Sequence, residues 1–296
     1  MLFRSHIIAI SGKDSAATAL VQMAHEPDLP YEYIFCDVRM ELPETYEWIE
    51  KVEKVLGIRI IRIGKSLEEV IAEQNMLPSF NRRFCTKYGK IFPIRDYIGK
   101  EQAIQYFGIR ADESERVGVF ESKNIEFRYP LIDMGIGING VYQILGHRGI
   151  LPPNFFWDRL HKEVISRNPF LETTASRLNA WDYSAIFSWR SRSNCFNCFY
   201  QRQYEWVGLL EHHPELFEKA EKIEYDYGYG PDRPCDKPFS WIEDIPLSAL
   251  RGKSELIFNS RVKSVTRMLS NASQGKLFGD EFDPMTVTSC GLYCGK

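Results

Sequence analysis

Five consecutive residues, Ser11, Gly12, Lys13, Asp14 and Ser15, combine small size, one cation, one acid and two hydroxyls. They stand between an apolar run at 6–10 and a helix-forming stretch at 15–24. Small residues let a backbone approach an anion, and the free N–H groups and dipole of a following helix favour its negative charge. Lys13 adds a point charge and Ser15 a hydroxyl, so the pattern points to phosphate. The spacing is not the GxxxxGK[ST] of P-loop kinases and ATPases. The plain alternative is a polar strand-to-helix turn capped by Asp14 or Ser15.

Other segments carry chemistry of their own. Asp37 ends a strand-like run, Tyr31–Cys36, and the carboxyl ends of strands are where open α/β sheets bind ligands. Between 79 and 100, Arg82, Arg83, Lys87, Lys90 and Arg95 surround Cys85, with Asp96 the only acid. This local basic patch suits nucleotide phosphates, a nucleic-acid backbone or a solvated helix face. Seven cysteines include two close pairs, Cys195 with Cys198 and Cys290 with Cys294. Thiolates at such spacing can share a metal; four of them suit Zn²⁺ and an iron–sulfur cluster alike, with Cys85 as a further candidate. Cys36 reads as a small buried hydrophobe, and Cys235 as a loop residue open to ligand, sulfur-carrier or bystander roles. Phe199, Tyr200, Tyr204 and Trp206, with Leu209 and Leu210, read as a helix core.

These residues need a scaffold, and 296 residues, 44% hydrophobic and 26% charged, can bury one large core or two modest ones. Collagen-like and low-complexity classes are excluded. The formal charge of −3 rules out a global positive field, so DNA or RNA would have to meet a local patch. No apolar run approaches the ~18 residues needed to cross a bilayer. Met1 leads straight into a strand-like segment, so a soluble, cytoplasmic protein with no membrane partner is expected.

Strands at 6–10, 31–36, 58–63 and 102–107 alternate with helices, the helix from Pro43 carrying Tyr46, Ile49, Val52, Val55 and Leu56 on one face. This is the pattern of an α/β, doubly wound, mostly parallel sheet. The expected division is a domain at 1–136 and a largely helical C-terminal region at 137–296 holding the cysteine site. Tyr225 onward to 238 reads as a loop.

The order of the motifs adds a resemblance. Ser11 to Ser15 resembles the SGGKDS loop of the adenine-nucleotide alpha-hydrolase (PP-loop ATP pyrophosphatase) superfamily, in its PAPS reductase-like branch. Asp37 with Glu41-Leu-Pro-Glu-Thr-Tyr46 is similar to that branch's DTG...PET(Y/F) stretch. Arg83-Phe-Cys85-Thr-Lys87 with Lys90 and Pro93 is similar to its R-x-C-(C/T)...K...P segment. Gly108-Ile-Arg110-Ala-Asp-Glu113-Ser114 with Arg116 is similar to its GxRxxES..R element. The likeness spans 9–116, and Tyr129-Pro130-Leu131 and the Cys195–Cys198 pair extend it toward 210. One departure stands out: Ser11 occupies the place of the family's first glycine.

The resemblance implies cleavage of ATP between its α and β phosphates. Lys13, Asp14, Ser15 and Arg110 would be catalytic. Ser11, Gly12, Lys13, Asp14, Ser15, Asp37, Arg83, Lys90 and Arg110 would hold ATP and Mg²⁺, and Cys195, Cys198, Cys290 and Cys294 a [4Fe-4S] cluster or Zn²⁺. Within the branch, the likeness is greatest to the ATP pyrophosphatases of DNA phosphorothioation (DndC/SspD type). That implies adenylylation of a DNA backbone phosphate, a cysteine desulfurase as sulfur donor, and further modification-complex subunits in an antiphage setting. Thiolation of tRNA is a variant. A second reading is a PAPS or APS sulfonucleotide reductase. Cys290-Gly-Leu-Tyr293 favours it, while Tyr293 in place of histidine, Phe84 in place of a paired cysteine and the intact Lys13-Asp14-Ser15 count against it. A third is a non-catalytic nucleotide-binding module of a defence or modification complex.

Overall fold

A strand such as Ser5–Ala9, apolar on both sides of its pleat, is stable only with a covering layer on each face. The computed structural model, which describes residues 5–117, 122–231, 239–242 and 245–273, provides both layers. The chain runs β1 (Ser5–Ala9), α1 (Lys13–His25), β2 (Tyr31–Cys36), α2 (Pro43–Leu56), β3 (Ile60–Ile63) and α3 (Leu67–Gln74). A short α4 (Phe84–Thr86), a π-helical turn (Lys87–Ile91) and α5 (Phe92–Ile98) lead to β4 (Ala103–Tyr106). β5 (Ile125–Arg128), α6 (Pro130–Asp133) and α7 (Ile138–His147) follow.

The strands pair in parallel in the order β3-β2-β1-β4-β5. One face sets Ile8, Ile10, Tyr33, Phe35, Ile104 and Tyr106 against Ala16, Ala17 and Leu20 of α1, Ile49 and Val52 of α2 and Val141 and Leu145 of α7. The other sets Ile7, Ala9, Ile34, Cys36 and Ala103 against Ile94 and Ile98 of α5. The fold is therefore α/β and doubly wound. The chain winds outward from β1 through β2 and β3, then returns to β4 on the other side of β1. The β1/β4 boundary is thus a topological switch point, where loops diverge and leave a crevice at the carboxyl edge.

Three local readings need correction. The strand expected from 58 starts at Ile60, because Ile58 N donates to Glu53 O (3.2 Å) and closes the end of α2. In α2, Val55 is exposed and Trp48 takes the buried place, donating from Nε1 to Ile150 O at 3.0 Å. β5 lacks a sequence signal because four residues, two of them charged, carry too little periodicity.

The chain divides into two compact units, one formed by the stretch up to Val70 with Arg83–Pro153, the other by Ile71–Arg82 and the described residues from Asn154 on. α7 lies beyond residue 136 yet packs on α1 in the first unit. The second unit is helical: α8 (Asp158–Arg167), α9 (Leu171–Ala175), α10 (Ala180–Ile186), α11 (Gln203–His212), α12 (Pro214–Glu224), α13 (Leu247–Arg251) and α14 (Ser254–Ser273). α14 packs on α8, α9 and α11, and Trp157, Trp206 and Phe217 fill the interior. Tyr225–Tyr229, expected in a loop, continues α12 as a π-helical turn. No described helix is long and apolar enough to cross a membrane.

Glu224 is fully buried in this unit and accepts from Trp241 N (2.9 Å) and Leu247 N (2.6 Å). Burial pushes its carboxyl from 4.5 up to about 7, although the two N–H groups pull it down. Between those pH values the folded chain holds a proton that the unfolded chain has released. Stability from this group is therefore full below pH 4.5 and falls as pH rises to 7, by on the order of 3 kcal/mol. The thermal midpoint of the wild type is expected to fall relative to Glu224→Gln across that window. Parallel curves for the two proteins would contradict it.

Candidate functional site

The loop between β1 and α1 is shaped from within. Gly12 is the extended N-cap residue of α1, and Ser15 Oγ accepts from Ser11 N (3.0 Å) and Gly12 N (3.2 Å) while donating to Gly12 O (2.9 Å). That hydroxyl thus braces the turn, and the helix starts at Lys13 with Asp14 in its first turn. A Cβ on Gly12 would meet nothing within 4 Å, so the outer side of the loop is open.

Two cations converge on one acid. Lys13 Nζ donates to both Asp14 carboxylate oxygens at 3.0 and 2.9 Å. Arg110, from the loop after β4, reaches the same two oxygens from Nη1 at 3.4 Å each. Its Nε donates to Asp112 Oδ1 at 3.0 Å, Glu113 Oε1 lies 3.6 Å from Nη1, and Glu113 also takes Arg116. Lys13 and Arg110 are both buried. Burial works against the Arg110 charge, but Asp14, Glu113 and Asp112 outweigh it and hold its pKa above the ordinary guanidinium value. Arg110 keeps its charge, and both cations are fixed in place by their bonds to Asp14, as stabilisation of a phosphate charge requires.

The two loops touch because position 108 is glycine. A Cβ there would stand 2.6 Å from Ser15 N and 2.7 Å from the Asp14 carbonyl carbon. Residues 14 and 110 therefore meet across 96 positions of sequence at the switch point.

Asp37 follows β2 at the same carboxyl edge. Its Oδ1 accepts from Arg39 N (2.8 Å) and Tyr46 Oη (2.8 Å), so the carboxylate is held by the loop after β2 and the first turn of α2. Burial, with the Asp37 hydrogen bond behind it, raises the Tyr46 pKa and keeps the phenol a donor. An oriented carboxylate on this edge fits a hard cation such as Mg²⁺. The π-helical turn packs beside it: Cys36 Sγ lies 3.8 Å from Lys90 O, and a Cβ on Gly89 would stand 2.8 Å from Val38 Cγ1. Lys90 and Arg83 thus belong to the first unit, on the segment beside the end of β2. Arg82 is exposed, belongs to the second unit and donates to Met76 Sδ. Cys36 is buried on its strand, with its thiol pushed up to about 11 by burial.

Cys85, Cys195 and Cys198 are of intermediate exposure. No group of three or more His, Cys, Asp or Glu that could hold a metal occurs among the described residues. Cys195 and Cys198 fit as two soft donors of a larger set, since Cys198 N donates to Cys195 O (3.1 Å) and closes one tight turn around both. Cys235, Cys290, Cys294 and the Tyr293 ending lie outside the described residues. The aromatic run is only partly core. Trp206 is fully buried, but Phe199, Tyr200 and Tyr204 are half-buried because the first two precede α11 and Tyr204 lies under Arg261 (4.3 Å). Sequence reasoning missed Asp112 as a partner of Arg110, and Arg190 and Gln201 beneath the Cys195–Cys198 turn. A polar pair flanking CxxC was the available signal.

Paired buried cations thus stand at the switch point of a doubly wound parallel α/β sheet. Residues 5–128 match the family model of the phosphoadenosine phosphosulfate reductase domain. Two uncharacterized proteins of Methanocaldococcus jannaschii are similar: one is 23% identical over 236 residues, covering 79% of this chain and 51% of its own. The other is 22% identical over 244 residues, covering 75% and 42%. The chain spans about half the length of these curated relatives. The solved structure of PAPS reductase from Candida auris, a phosphate complex, is similar over 51% of this chain and 75% of that one, with 20% identity and a TM-score of 0.39.

Proposed function

We propose that this protein is an ATP pyrophosphatase that activates an acceptor oxygen for replacement by sulfur, the acceptor being a DNA backbone phosphate. The observation that carries the reading is the convergence of Lys13 and Arg110 on Asp14 at the start of α1. An acceptor oxygen attacks the α-phosphorus of ATP, the bond from that phosphorus to the bridging oxygen breaks, and pyrophosphate leaves with its charge held by Lys13, Arg110 and the helix N-terminus. Asp14 and Asp37 are the acids that would hold Mg²⁺, which supplies Lewis-acid neutralisation of the phosphates. The terminal sulfur of a persulfide delivered by a cysteine desulfurase then attacks the acceptor phosphorus and displaces AMP. A second thiol cleaves the S–S bond, leaving sulfur on phosphorus and a disulfide behind. The basic segment with Arg83, Lys87 and Lys90 is the candidate contact for the acceptor's phosphates. Cys195 and Cys198, with Cys290 and Cys294, are the ligand set proposed for zinc or an iron–sulfur cluster.

The test is chromatographic product analysis after incubation with ATP and Mg²⁺, with and without DNA and a cysteine desulfurase. AMP with pyrophosphate is expected; ADP with phosphate would overturn the reading. The match of residues 5–128 favours a second reading, reduction of a sulfonucleotide. Sulfite released from PAPS, with no AMP formed from ATP, would establish that one instead.

A further inference from the structure

The turn that carries Cys195 and Cys198 is built on a buried cation. Arg190, 2% exposed, donates from Nε to Arg192 O (3.1 Å) and from Nη1 to Gln201 Oε1 (2.8 Å). Its Nη2 serves Asn194 O (2.6 Å), Asn194 Oδ1 (2.8 Å) and Cys195 O (2.8 Å). Gln201, also buried, donates from Nε2 to Phe196 O and from its backbone N to Cys198 O (3.0 Å). Arg190 and Gln201 together gather the carbonyls of residues 192, 194, 195, 196 and 198.

In a trans peptide the C=O and the next N–H point opposite ways, and the described residues contain no cis bond. With the carbonyls of 194, 195 and 196 drawn inward, the N–H groups of Cys195, Phe196 and Asn197 face away from this pair. A turn whose amides face outward around two cysteines is arranged to support thiolate sulfur, whose negative charge backbone amides and a fixed cation offset. An ordinary turn needs no buried guanidinium, whose desolvation opposes folding.

We propose that Arg190, acting with Gln201, is the positioning residue of a thiolate metal site at Cys195 and Cys198. This rests on the reading of that pair as metal ligands. The guanidinium sets the turn before the metal arrives, so the thiolates need not be ordered at binding.

The experiment is titration of the reduced, chelator-stripped full chain with Co²⁺ alone, followed by the thiolate-to-cobalt charge-transfer absorption. The wild type is expected to develop the band and Cys198→Ser to lose it. Arg190→Gln is expected to bind Co²⁺ about 10- to 100-fold more weakly while keeping its helical circular dichroism. Arg190→Lys should not rescue, because one ammonium cannot span the same acceptors. Gln201→Leu should show a smaller loss in the same direction, and it decides the matter if Arg190→Gln does not fold. Wild-type affinity in Arg190→Gln or Gln201→Leu, with the band still lost in Cys198→Ser, would discard the positioning role and leave the metal. No band in the wild type would discard the metal reading and the proposal together.

Discussion

Lys13→Ala is expected to lower the release of AMP and pyrophosphate by about 10²- to 10³-fold, the usual cost of removing one preorganised charge from a developing anion. The fold should survive. The ammonium is buried, but its partner Asp14 keeps Arg110, so no acid is left without a cation. Lys13→Arg restores the charge on a longer, planar head that cannot occupy the same point, and should recover only part of the rate. Single-turnover product formation at saturating ATP, with circular dichroism on the same preparation, separates chemistry from folding. An unchanged rate in Lys13→Ala would remove this residue from the phosphate chemistry and leave Arg110 as the principal cation of the site.

Gly108→Ala should be the most damaging single-methyl addition in the first unit. The new Cβ would stand 2.6 Å from Ser15 N, 2.7 Å from the Asp14 carbonyl carbon and 2.9 Å from Ser15 Cα. These are backbone atoms, and no side-chain rotation relieves the overlap. Either the loop after β4 withdraws or the start of α1 shifts, and both separate Arg110 from Asp14. A loss of about 3 kcal/mol is expected in chemical denaturation, together with loss of pyrophosphate release. Gly12→Ala is the matched comparison: its Cβ meets nothing within 4 Å and its φ of −177° is open to any residue. Its cost in stability should stay below about 1 kcal/mol. Equal losses in the two variants would show that the close approach at Gly108 is not what joins the loops.

Much of the first unit was readable because its strands are covered on both faces. Such strands are apolar over most of their length, as in residues 7–10 and 33–36, whereas β5, with Glu126 and Arg128 among four residues, has no such run. The helix from Pro43 was legible from proline at its start and Gly57, at φ 64°, after its end. Its buried face follows the periodicity at Ile49 and Val52, while Val55 is exposed and Trp48 joins the face, held by a hydrogen bond to Ile150, which lies 102 residues away.

By itself the sequence determined the class of this protein: a parallel α/β sheet, a charged loop at the first strand-to-helix junction, and basic and CxxC segments in a set order. Local spacing suffices for these, since periodicity, caps and small residues act over a few positions of chain. The tertiary structure alone decided which charges face one another. Arg110 and Asp14 meet because β4 returns to the side of β1, Gly108 allows the contact, and Asp112 and Glu113 neutralise the remainder of the cluster. Arg190 serves the Cys195–Cys198 turn because the chain folds its carbonyls back onto one guanidinium. Contacts of this kind depend on through-space distance and on burial, which strengthens a charge pair by excluding water, and neither leaves a period in the sequence.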